Sequence, residues 1–250
     1  MKITFLGTSH GIAEADRFCS SAVVTVGNSN YLVDAGAPIS TLYTKYGFDF
    51  KDLKGIFITH SHADHFAGLV EFTFQMTGFG RYKGLHIPIY VPDERFCHHL
   101  VEFVHLTEGG GDSKKNAELE YRVYPDGLIF DDGNVRITSV PVEHIPHAHA
   151  FIIEAEGKRV CFSGDMKGDL RDYPKQIFEQ DFDLVVTEGA HPTLNKPEVM
   201  EILAKSRTKS MYINHIYDVK NPPEVVAELA ALVKDKFPVT VAHDGTVIEL

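Results

Sequence analysis

Short runs of β-branched and aromatic residues recur along the chain, and segments with helical spacing of apolar residues lie between them. The predicted strands cover residues 1–7, 22–26, 31–33, 56–58, 87–91, 135–140, 159–163, 184–187, 211–214 and 239–242. The predicted helices cover residues 66–77, 94–105, 198–205 and 224–236, and prolines precede the last two. Strands follow one another early in the chain and alternate with helices later. This order predicts a mixed pair of sheets flanked by helices.

The chain has neither an internal repeat nor a linker-like segment, so we predict one domain over residues 1–250. Its 44% hydrophobic content is enough for a substantial core. The stretch 107–120 contains three consecutive glycines followed by charged residues, which predicts a loop. The sequence leaves open whether that loop closes over a site as a lid.

Composition limits the expected location of the protein and its expected partners. No apolar run approaches the roughly 20 residues that a membrane span needs. The amino terminus lacks the basic-then-apolar layout of a signal peptide, so we expect a cytoplasmic protein without a membrane partner. Cys19, Cys97 and Cys161 are odd in number and widely spaced, which argues against a disulfide framework. The net charge of −11 repels polyanions such as nucleic acids over long range.

The most specific chemical signal is a run of three histidines and one aspartate directly after the apolar run 56–58. Its members are His60, His62, Asp64 and His65. Imidazole and carboxylate groups are ligands that suit zinc, manganese and iron. His60 and His62 lie two positions apart on an extended loop and can hold one ion together. Asp64 and His65 fall at the start of the next predicted helix, so the motif predicts a second ion there.

Two ions need more ligands than this motif supplies, and further candidates follow other predicted strands. Those candidates are His144, Asp165, His215 and His243. Taken alone, each has an ordinary alternative as a hydrogen-bonded core or surface residue. They gain weight together, because the carboxyl ends of neighbouring parallel strands meet at one edge of a sheet.

In this order the motifs resemble those of the metallo-β-lactamase superfamily. Asp34 in the segment 32–36, the 60–65 run, His144, Asp165 and a late histidine match the superfamily's sequence of motifs. The resemblance extends over nearly all 250 residues. It implies an α/β fold, α+β by some schemes, in which four layers form an αββα sandwich with the metals on one edge.

A narrower resemblance is to the ribonuclease Z branch, which includes small cyclic-phosphate phosphodiesterases. The segment 5–8 together with Arg17, Ser20 and Ser21 is similar to the branch's amino-terminal signature. The segment 187–190 is similar to its His-Glu-Ala-Thr motif. The segments 214–216 and 242–244 are similar to its two closing histidine motifs.

The resemblance implies two divalent ions, zinc before manganese or iron, and it implies their ligands. The ligands of the first ion are His60, His62 and His144. The ligands of the second ion are Asp64, His65 and His243. Asp165 bridges the two ions. Each ion then has four protein ligands and keeps room for a shared hydroxide and a substrate oxygen.

The resemblance also implies roles beside the metals. Asp34 accepts a hydrogen bond from a ligand and fixes its orientation. His215 has two readings, because it either replaces His243 as a ligand or stands off the metal and contacts substrate. The presence of His243 favours the second reading, in which Glu188 pairs with His215 and keeps it protonated for the leaving group. The expected catalytic residues are then Asp64, Glu188 and His215. Three histidines receive no role: His147, His149 and His191.

The expected charge of such a centre indicates its substrate. Two divalent ions contribute +4, Asp64 and Asp165 contribute −2, and a bridging hydroxide contributes −1, which leaves about +1. That charge suits a singly charged phosphodiester, which the bridging hydroxide attacks. We therefore predict a dinuclear metal-dependent hydrolase, a phosphodiesterase whose substrate is a small molecule or a short nucleotide, cyclic ones included.

Three alternatives remain at this stage. The first is a tRNA 3′-processing endonuclease like ribonuclease Z, which usually carries a substrate-binding arm between its bridging aspartate and its glutamate motif. Here only 22 residues separate Asp165 from Glu188, without a glycine-rich or basic run, so tRNA is disfavoured. The second is a hydrolase of a lactone, thioester or β-lactam, and the third is a non-catalytic metal-binding module. The oligomeric state stays open, a homodimer included.

Overall fold

The computed structural model describes residues 1–12, 14–107 and 116–250. Its strands form two sheets of seven, and both sheets contain parallel and antiparallel pairs. The strands of the first sheet in chain order are β1 (Lys2–Gly7), β2 (Ser21–Val26), β3 (Ser29–Val33), β4 (Leu53–Phe57), β5 (His86–Val91), β6 (Glu118–Val123) and β14 (Val247–Glu249). Those of the second sheet are β7 (Gly127–Asp131), β8 (Val135–Pro141), β9 (His149–Ala155), β10 (Lys158–Phe162), β11 (Leu184–Gly189), β12 (Met211–Ile216) and β13 (Val239–Val241).

The helices lie between these strands in sequence. They are α1 (Ile39–Lys45), α2 (Ala63–Phe66), α3 (Gly68–Gly78), α4 (Glu94–Thr107), α5 (Gln176–Glu179), α6 (Pro197–Ala204) and α7 (Pro223–Val233). Prolines lie in the first turns of α6 and α7, where the missing N–H leaves no intrahelical bond unmade. In the described part of the chain, no helix combines the length and the apolar character that crossing a membrane requires.

The alternation of side chains along the strands builds the four layers. On β2, Ala22 and Val24 point into the core between the two sheets, whereas Val23 points to the helices α1 and α3. On β11, Leu184 and Val186 enter the same inter-sheet core. Successive residues of a strand face opposite sides, so a strand with a helix layer on one face and a sheet on the other is apolar throughout.

Each outer face is covered by helices, which confirms the predicted αββα sandwich. Leu42 of α1 and Phe72 of α3 are buried against the first sheet. Leu203 of α6 and Leu229 of α7 are buried against the second. A fully buried side chain of this kind stabilises the fold by about 1.5–3 kcal/mol relative to an exposed one.

The structure refines several predicted elements. The helix predicted over 66–77 is interrupted at Ala67, because the N–H of Gly68 bonds to the carbonyl of Ala35 at 2.9 Å instead of continuing α2. A side chain at Gly68 would lie 2.7 Å from that carbonyl oxygen, so only glycine allows this approach. The strands β6, β7, β9 and β14 and the helices α1 and α5 were not predicted. Of the predicted loop 107–120, Thr107 ends α4 and residues 118–120 begin β6, and residues 108–115 lie outside the described part.

Parallel pairing brings the polar strand ends together. β3 and β4 are parallel neighbours, and β10, β11, β12 and β13 run parallel in turn. The carboxyl ends of parallel strands share an edge of the sheet, where open α/β sheets bind ligands. Candidate site residues follow or end β3, β4, β10, β11 and β12.

Candidate metal centre

Three histidines and one aspartate form the first of two clusters at this edge. Its residues are His60, His62, His144 and Asp165. His62 Nδ1 lies 3.1 Å from His60 Nε2 and 3.0 Å from His144 Nε2. Asp165 Oδ2 lies 3.6 Å from His60 Nε2 and 3.7 Å from His144 Nε2. Four potential ligand atoms therefore surround one point.

The second cluster joins the start of α2 to the end of β12. Its residues are Asp64, His65 and His215. His215 Nε2 lies 3.2 Å from His65 Nε2 and 3.1 Å from Asp64 Oδ2. Asp165 reaches this cluster with its other oxygen, since Oδ1 lies 3.5 Å from His65 Nε2. One carboxylate, that of Asp165, thus faces both clusters.

The donor atoms fit divalent ions. Two ligands about 2.0–2.1 Å from one zinc ion lie about 2.9 Å apart at a right angle and about 3.4 Å apart at the tetrahedral angle. The nitrogen–nitrogen separations of 3.0, 3.1 and 3.2 Å fall in that interval. Asp165 Oδ1 is also buried without a hydrogen-bond partner in the described ranges, a costly state that a bound cation would relieve.

Burial keeps two histidines of the first cluster neutral. It lowers the pKa of His60 to about 2 and that of His144 to about 4. Both imidazoles therefore offer a free lone pair at neutral pH, which is the form that binds a metal. Asp165 behaves in the opposite way to an ordinary buried acid. Burial alone would raise its pKa, but the charges of His215 and His65 outweigh burial and hold the pKa well below its usual value.

Asp34 supports the second cluster from behind. Asp34 Oδ2 lies 2.8 Å from His65 Nδ1, and Oδ1 accepts hydrogen bonds from the backbone N–H of Thr59 at 2.8 Å and from its hydroxyl at 3.0 Å. In the neutral ring of His65 this contact places the proton on Nδ1, so that Nε2, which faces the cluster, can offer its lone pair. Asp34 therefore has the position that the sequence analysis expected for it.

Two residues of the site adopt left-handed backbone conformations, which residues other than glycine rarely adopt. Asp34, directly after β3, has φ of 58°, and His215 near the end of β12 has φ of 50°. Non-glycine residues in the left-handed region carry conformational strain, and such residues cluster at functional sites. Here the strained turns direct both side chains towards the second cluster.

The expected pair of Glu188 and His215 is not formed in the described structure. Glu188 is buried, and its Oε1 accepts the backbone N–H of Met166 at 2.7 Å. Its Oε2 accepts the backbone N–H of His191 at 2.8 Å, and it lies 3.0 Å from the ring atom His191 Nδ1. His215 is engaged with Asp64 and His65 instead. The partner of Glu188 is therefore His191, a residue to which the sequence analysis gave no role.

His191 stands beside both clusters. Its Nδ1 lies 3.9 Å from Asp165 Oδ2, and its ring packs on that of His144 with centroids 4.6 Å apart. The side chain is 39% exposed, so it also reaches solvent. The hydrogen bond to Glu188 is the main cause that raises the pKa of His191. A spacing of three residues after Glu188 was the signal in the sequence that could have identified this pair.

His243 lies away from both clusters. It is exposed, and its backbone N–H donates to Thr246 Oγ1 at 3.0 Å. His215 occupies the place that the sequence analysis expected for His243. The sequence analysis had favoured a different role for His215, in which it stands off the metal. The reason is geometric: β12 carries His215 inside the sheet edge, whereas residue 243 follows the outermost strand β13.

Asp244, which follows His243, joins two distant segments of the chain. Asp244 Oδ1 accepts the hydroxyl of Thr8 at 2.7 Å, and Oδ2 accepts the backbone N–H of Phe18 at 2.7 Å. Arg17 Nη1 donates to Thr8 Oγ1 at 2.7 Å and to the carbonyl of Ala242 at 2.8 Å. The amino-terminal and closing motifs are therefore joined to each other, which holds Thr8, Arg17 and Phe18 beside the closing motif.

The two remaining histidines without an assigned role are separated from the clusters. His147 is exposed, with φ of 62°. His149 is buried, and its Nε2 lies 2.9 Å from Asp126 Oδ1. His149 also ties the second sheet to the loop of the metal motif, because its N–H donates to the carbonyl of Thr59 at 3.1 Å.

The αββα sandwich and the paired histidine and aspartate clusters at its edge define a protein of the metallo-β-lactamase superfamily of metal-dependent hydrolases. This confirms the resemblance recognised from the motifs. Within the superfamily, the model of the family described as "Anti-Pycsar protein Apyc1" matches residues 1–236. The chain belongs to that family.

Individual proteins extend the comparison to the ribonuclease Z branch. The chain is 37% identical over 181 residues to a ribonuclease Z of Picrophilus torridus. That alignment covers 71% of this chain and 55% of the relative. The chain is 25% identical over 187 residues to a ribonuclease Z of Prochlorococcus marinus, in an alignment that covers 72% of this chain and 58% of the relative. The chain thus spans little more than half the length of these curated relatives.

Solved structures share the fold over the whole chain. The metallo-β-lactamase fold protein YhfI of Bacillus subtilis superposes with a TM-score of 0.77 at 21% identity, covering 100% of this chain and 99% of that one. The short form of human tRNase Z superposes with a TM-score of 0.74 at 20% identity, with the same coverage. At this identity the likeness concerns the fold alone.

Proposed function

We propose that this chain is a dinuclear metal-dependent phosphodiesterase that acts on small or short phosphodiesters, cyclic ones included. One observation carries the proposal. Asp165 faces two clusters of ligand atoms, and His191, oriented by the buried Glu188, stands 3.9 Å from that carboxylate. A centre for two cations beside an oriented proton donor matches what cleavage of a phosphodiester requires.

The ligand set supports two divalent ions, zinc before manganese or iron. Its donors are imidazole nitrogens and carboxylate oxygens, a mixture that all three metals accept. We assign His60, His62 and His144 to the first ion, and Asp64, His65 and His215 to the second, with Asp165 shared. When bound, such ions lower the pKa of water and draw charge from the phosphoryl group.

The protein's own residues supply orientation and proton transfer. Glu188 holds the Nδ1 side of His191 and favours the protonated ring, which leaves Nε2 as the proton donor to the departing alkoxide. Asp64 belongs to the second cluster, and its Oδ2 lies 3.1 Å from His215 Nε2, so it helps to orient that imidazole. Esters whose leaving group is a weakly basic oxyanion need this proton donor less. Comparing such esters with alkyl esters therefore tests the role of His191.

Substrate size follows from the segment between Asp165 and Glu188. The structure describes all of it, and its regular structure before β11 is the one-turn helix α5. The fold offers no extra arm at that point for a folded RNA, and the net charge of −11 opposes long-range attraction of a polyanion. The names of the ribonuclease Z relatives support tRNA processing as the second candidate.

A substrate panel tests these assignments. The metal-loaded protein is given bis-p-nitrophenyl phosphate, a set of 3′,5′-cyclic nucleotides, a precursor tRNA, nitrocefin and a lactone, and its metal content is measured in parallel. We expect two ions per chain and turnover of the small phosphodiesters. Efficient cleavage of the precursor tRNA would replace the proposal by the second candidate. Turnover of nitrocefin or the lactone without any diesterase activity would refute it.

A further inference from the structure

The loop that carries His191 is held by one neighbouring segment. Residues 217–221, which follow β12 and which we call the clamp, donate hydrogen bonds to four consecutive carbonyl groups, those of residues 189–192. Consecutive carbonyls in an irregular loop normally face water or diverge. Here they converge on the clamp, so the backbone on both sides of His191 is fixed.

Asn221 is the centre of the clamp. It is completely buried, with 0% of its surface exposed. Its Nδ2 donates to the carbonyl of Gly189 at 2.8 Å and to that of Pro192 at 2.8 Å, and its Oδ1 accepts the N–H of Leu194 at 2.8 Å. A side-chain amide offers two donors and an acceptor, and Asn221 uses all of these on a single loop.

Lys220 and Tyr217 complete the clamp. Lys220 Nζ donates to the carbonyl of Ala190 at 3.1 Å and also to the carbonyl of His191 itself. The backbone N–H of Tyr217 donates to Gly189 at 3.3 Å. The two bonds from Lys220 lie between the attachments made by Asn221, and the bond from Tyr217 shares the carbonyl of Gly189 with Asn221, so all act on the same stretch of backbone.

The clamp also links the loop to the second cluster. It begins two residues after His215, which we assign to the second ion. The side chain of His191 contacts Glu188 on β11, while its backbone is held from β12. The ring of His191 therefore keeps a fixed place relative to Glu188 on β11 and to His215 on β12. Displacement of a catalytic group by about 1 Å can cost about 100-fold in rate.

We propose that Asn221 is a positioning residue that holds His191 in place for proton donation to the leaving group. The inference rests on the proposed phosphodiesterase function and goes beyond it by assigning a role to a residue that contacts neither metal nor substrate. Without the amide of Asn221, the loop loses three buried hydrogen bonds, and His191 departs from its place beside Asp165. The metal ligands keep their own supports, among them Asp34.

Two esters distinguish positioning from a general structural effect. A 3′,5′-cyclic nucleotide has a ribose alkoxide as leaving group and requires a proton, whereas bis-p-nitrophenyl phosphate releases a weakly basic phenolate that does not. General acid catalysis contributes about 10²–10⁴-fold, so His191→Ala should lose about that much on the cyclic nucleotide and much less on the aryl ester. Asn221→Ala should show the same selectivity, with about a 10- to 100-fold loss on the cyclic nucleotide and less than about threefold on the aryl ester.

The control is Asn30→Ala, which removes another buried asparagine that makes a side-chain hydrogen bond at 2.9 Å, to Thr25 on the first sheet. It should leave the ratio of the two activities unchanged. Metal content and thermal unfolding are measured for every variant. If Asn221→Ala does not fold, Lys220→Met, which keeps the apolar stem and loses the ammonium, should show the same selectivity at smaller size.

The double variant completes the test. If Asn221 acts through His191, then His191→Ala with Asn221→Ala should be no slower on the cyclic nucleotide than His191→Ala alone. Equal losses of Asn221→Ala on both esters, or an additive double variant, would overturn the positioning role and leave the proposed function intact. Equal losses of His191→Ala on both esters would refute proton donation by His191, and the role of Asn221 with it.

Discussion

His65 Nδ1 lies 2.8 Å from Asp34 Oδ2, and this contact crosses from the turn after β3 to the helix α2. The carboxylate selects one tautomer of the imidazole, so Nε2 is the nitrogen that faces the second cluster. Thr59 bonds to the same carboxylate through its N–H and its hydroxyl. The orientation of His65, which we assign to the second ion, is thus set by a residue that does not itself reach the cluster.

Replacing Asp34 by Asn should weaken metal binding at the second cluster by about 10- to 100-fold, because the amide no longer fixes the tautomer with a negative charge. Competition with a chromogenic chelator measures the affinity of each ion. The matched control is Asp132→Asn, which changes an aspartate that accepts the hydroxyl of Tyr31 at 2.5 Å, away from the clusters. Unchanged affinity in Asp34→Asn would contradict its supporting role.

His215 and His243 offer a direct comparison of two late histidines. We expect His215→Ala to lose one ion per chain, since its Nε2 lies 3.2 Å from His65 Nε2 in the second cluster. His243→Ala should keep both ions, because that side chain is exposed and lies outside the clusters. Elemental analysis of the dialysed proteins decides between them. Two ions in His215→Ala and one in His243→Ala would reverse our assignment.

Acidification should remove the second ion before the first. Burial lowers the pKa of His65, but Asp165 and Asp34 outweigh burial and raise the pKa well above its ordinary value, so the metal-free protein holds a proton there. An ion must displace that proton, and its affinity therefore falls as the pH falls. His60 and His144, with pKa values of about 2 and about 4, stay neutral down to roughly pH 5. Metal stoichiometry after dialysis from pH 8 to pH 5 tests this order.

Glu188→Gln should move the basic limb of the pH–rate profile to lower pH. The hydrogen bond that His191 Nδ1 donates to Glu188 is the main cause that raises the pKa of His191, and a neutral amide supports the imidazolium less. With a lower pKa, His191 loses its proton at a lower pH, and the rate on a cyclic nucleotide declines earlier. A profile with its basic limb unmoved would show that His191 is not the titrating proton donor.

Gly36→Ala should impair the second cluster through sterics alone. A Cβ at this position would lie 2.4 Å from the carbonyl oxygen of Asp64 and 2.5 Å from Cys19 Cβ, so the start of α2 must shift. We expect loss of the second ion, or of soluble folded protein. Gly78→Ala serves as control, since its Cβ would meet Phe74 at an ordinary 3.7 Å near the end of α3. Full occupancy in Gly36→Ala would contradict the close approach.

Much of the fold could be predicted because its strands are apolar on both faces and its helices are periodic. β2, β5 and β11 are continuous apolar runs. The predicted β2 and β5 each begin one residue late and end at the observed residue, and the predicted β11 ends two residues early. β6 was missed because its charged residues Glu118, Glu120 and Arg122 alternate with apolar ones on the outermost strand of the sheet. An edge strand of this kind reads as a loop, since half of its residues contact water.

The candidate site shows the same division between local and tertiary information. The spacing from His60 to His65 carries its own chemical meaning, so the motif predicts ligands without the fold. The choice between His215 and His243 has no local signal, because both follow predicted strands. It depends on which strand lies inside the sheet, and the order β13-β12-β11 settles the placement. The partner of Glu188, His191, also lacked a local signal in the strand pattern. A turn after β11 brings its ring back to the carboxylate three residues earlier in the chain.

The two clusters draw on both sheets. His60, His62, Asp64 and His65 come from the first sheet's half of the chain, while His144, Asp165 and His215 come from the second. A cation bound there would link the two halves, which also meet in the inter-sheet core and through hydrogen bonds such as that from the N–H of His149 to the carbonyl of Thr59. Fragments divided between β6 and β7 should therefore reassemble more tightly with zinc than with a chelator. Metal supply would then govern how long the folded protein survives, as well as what it can hydrolyse.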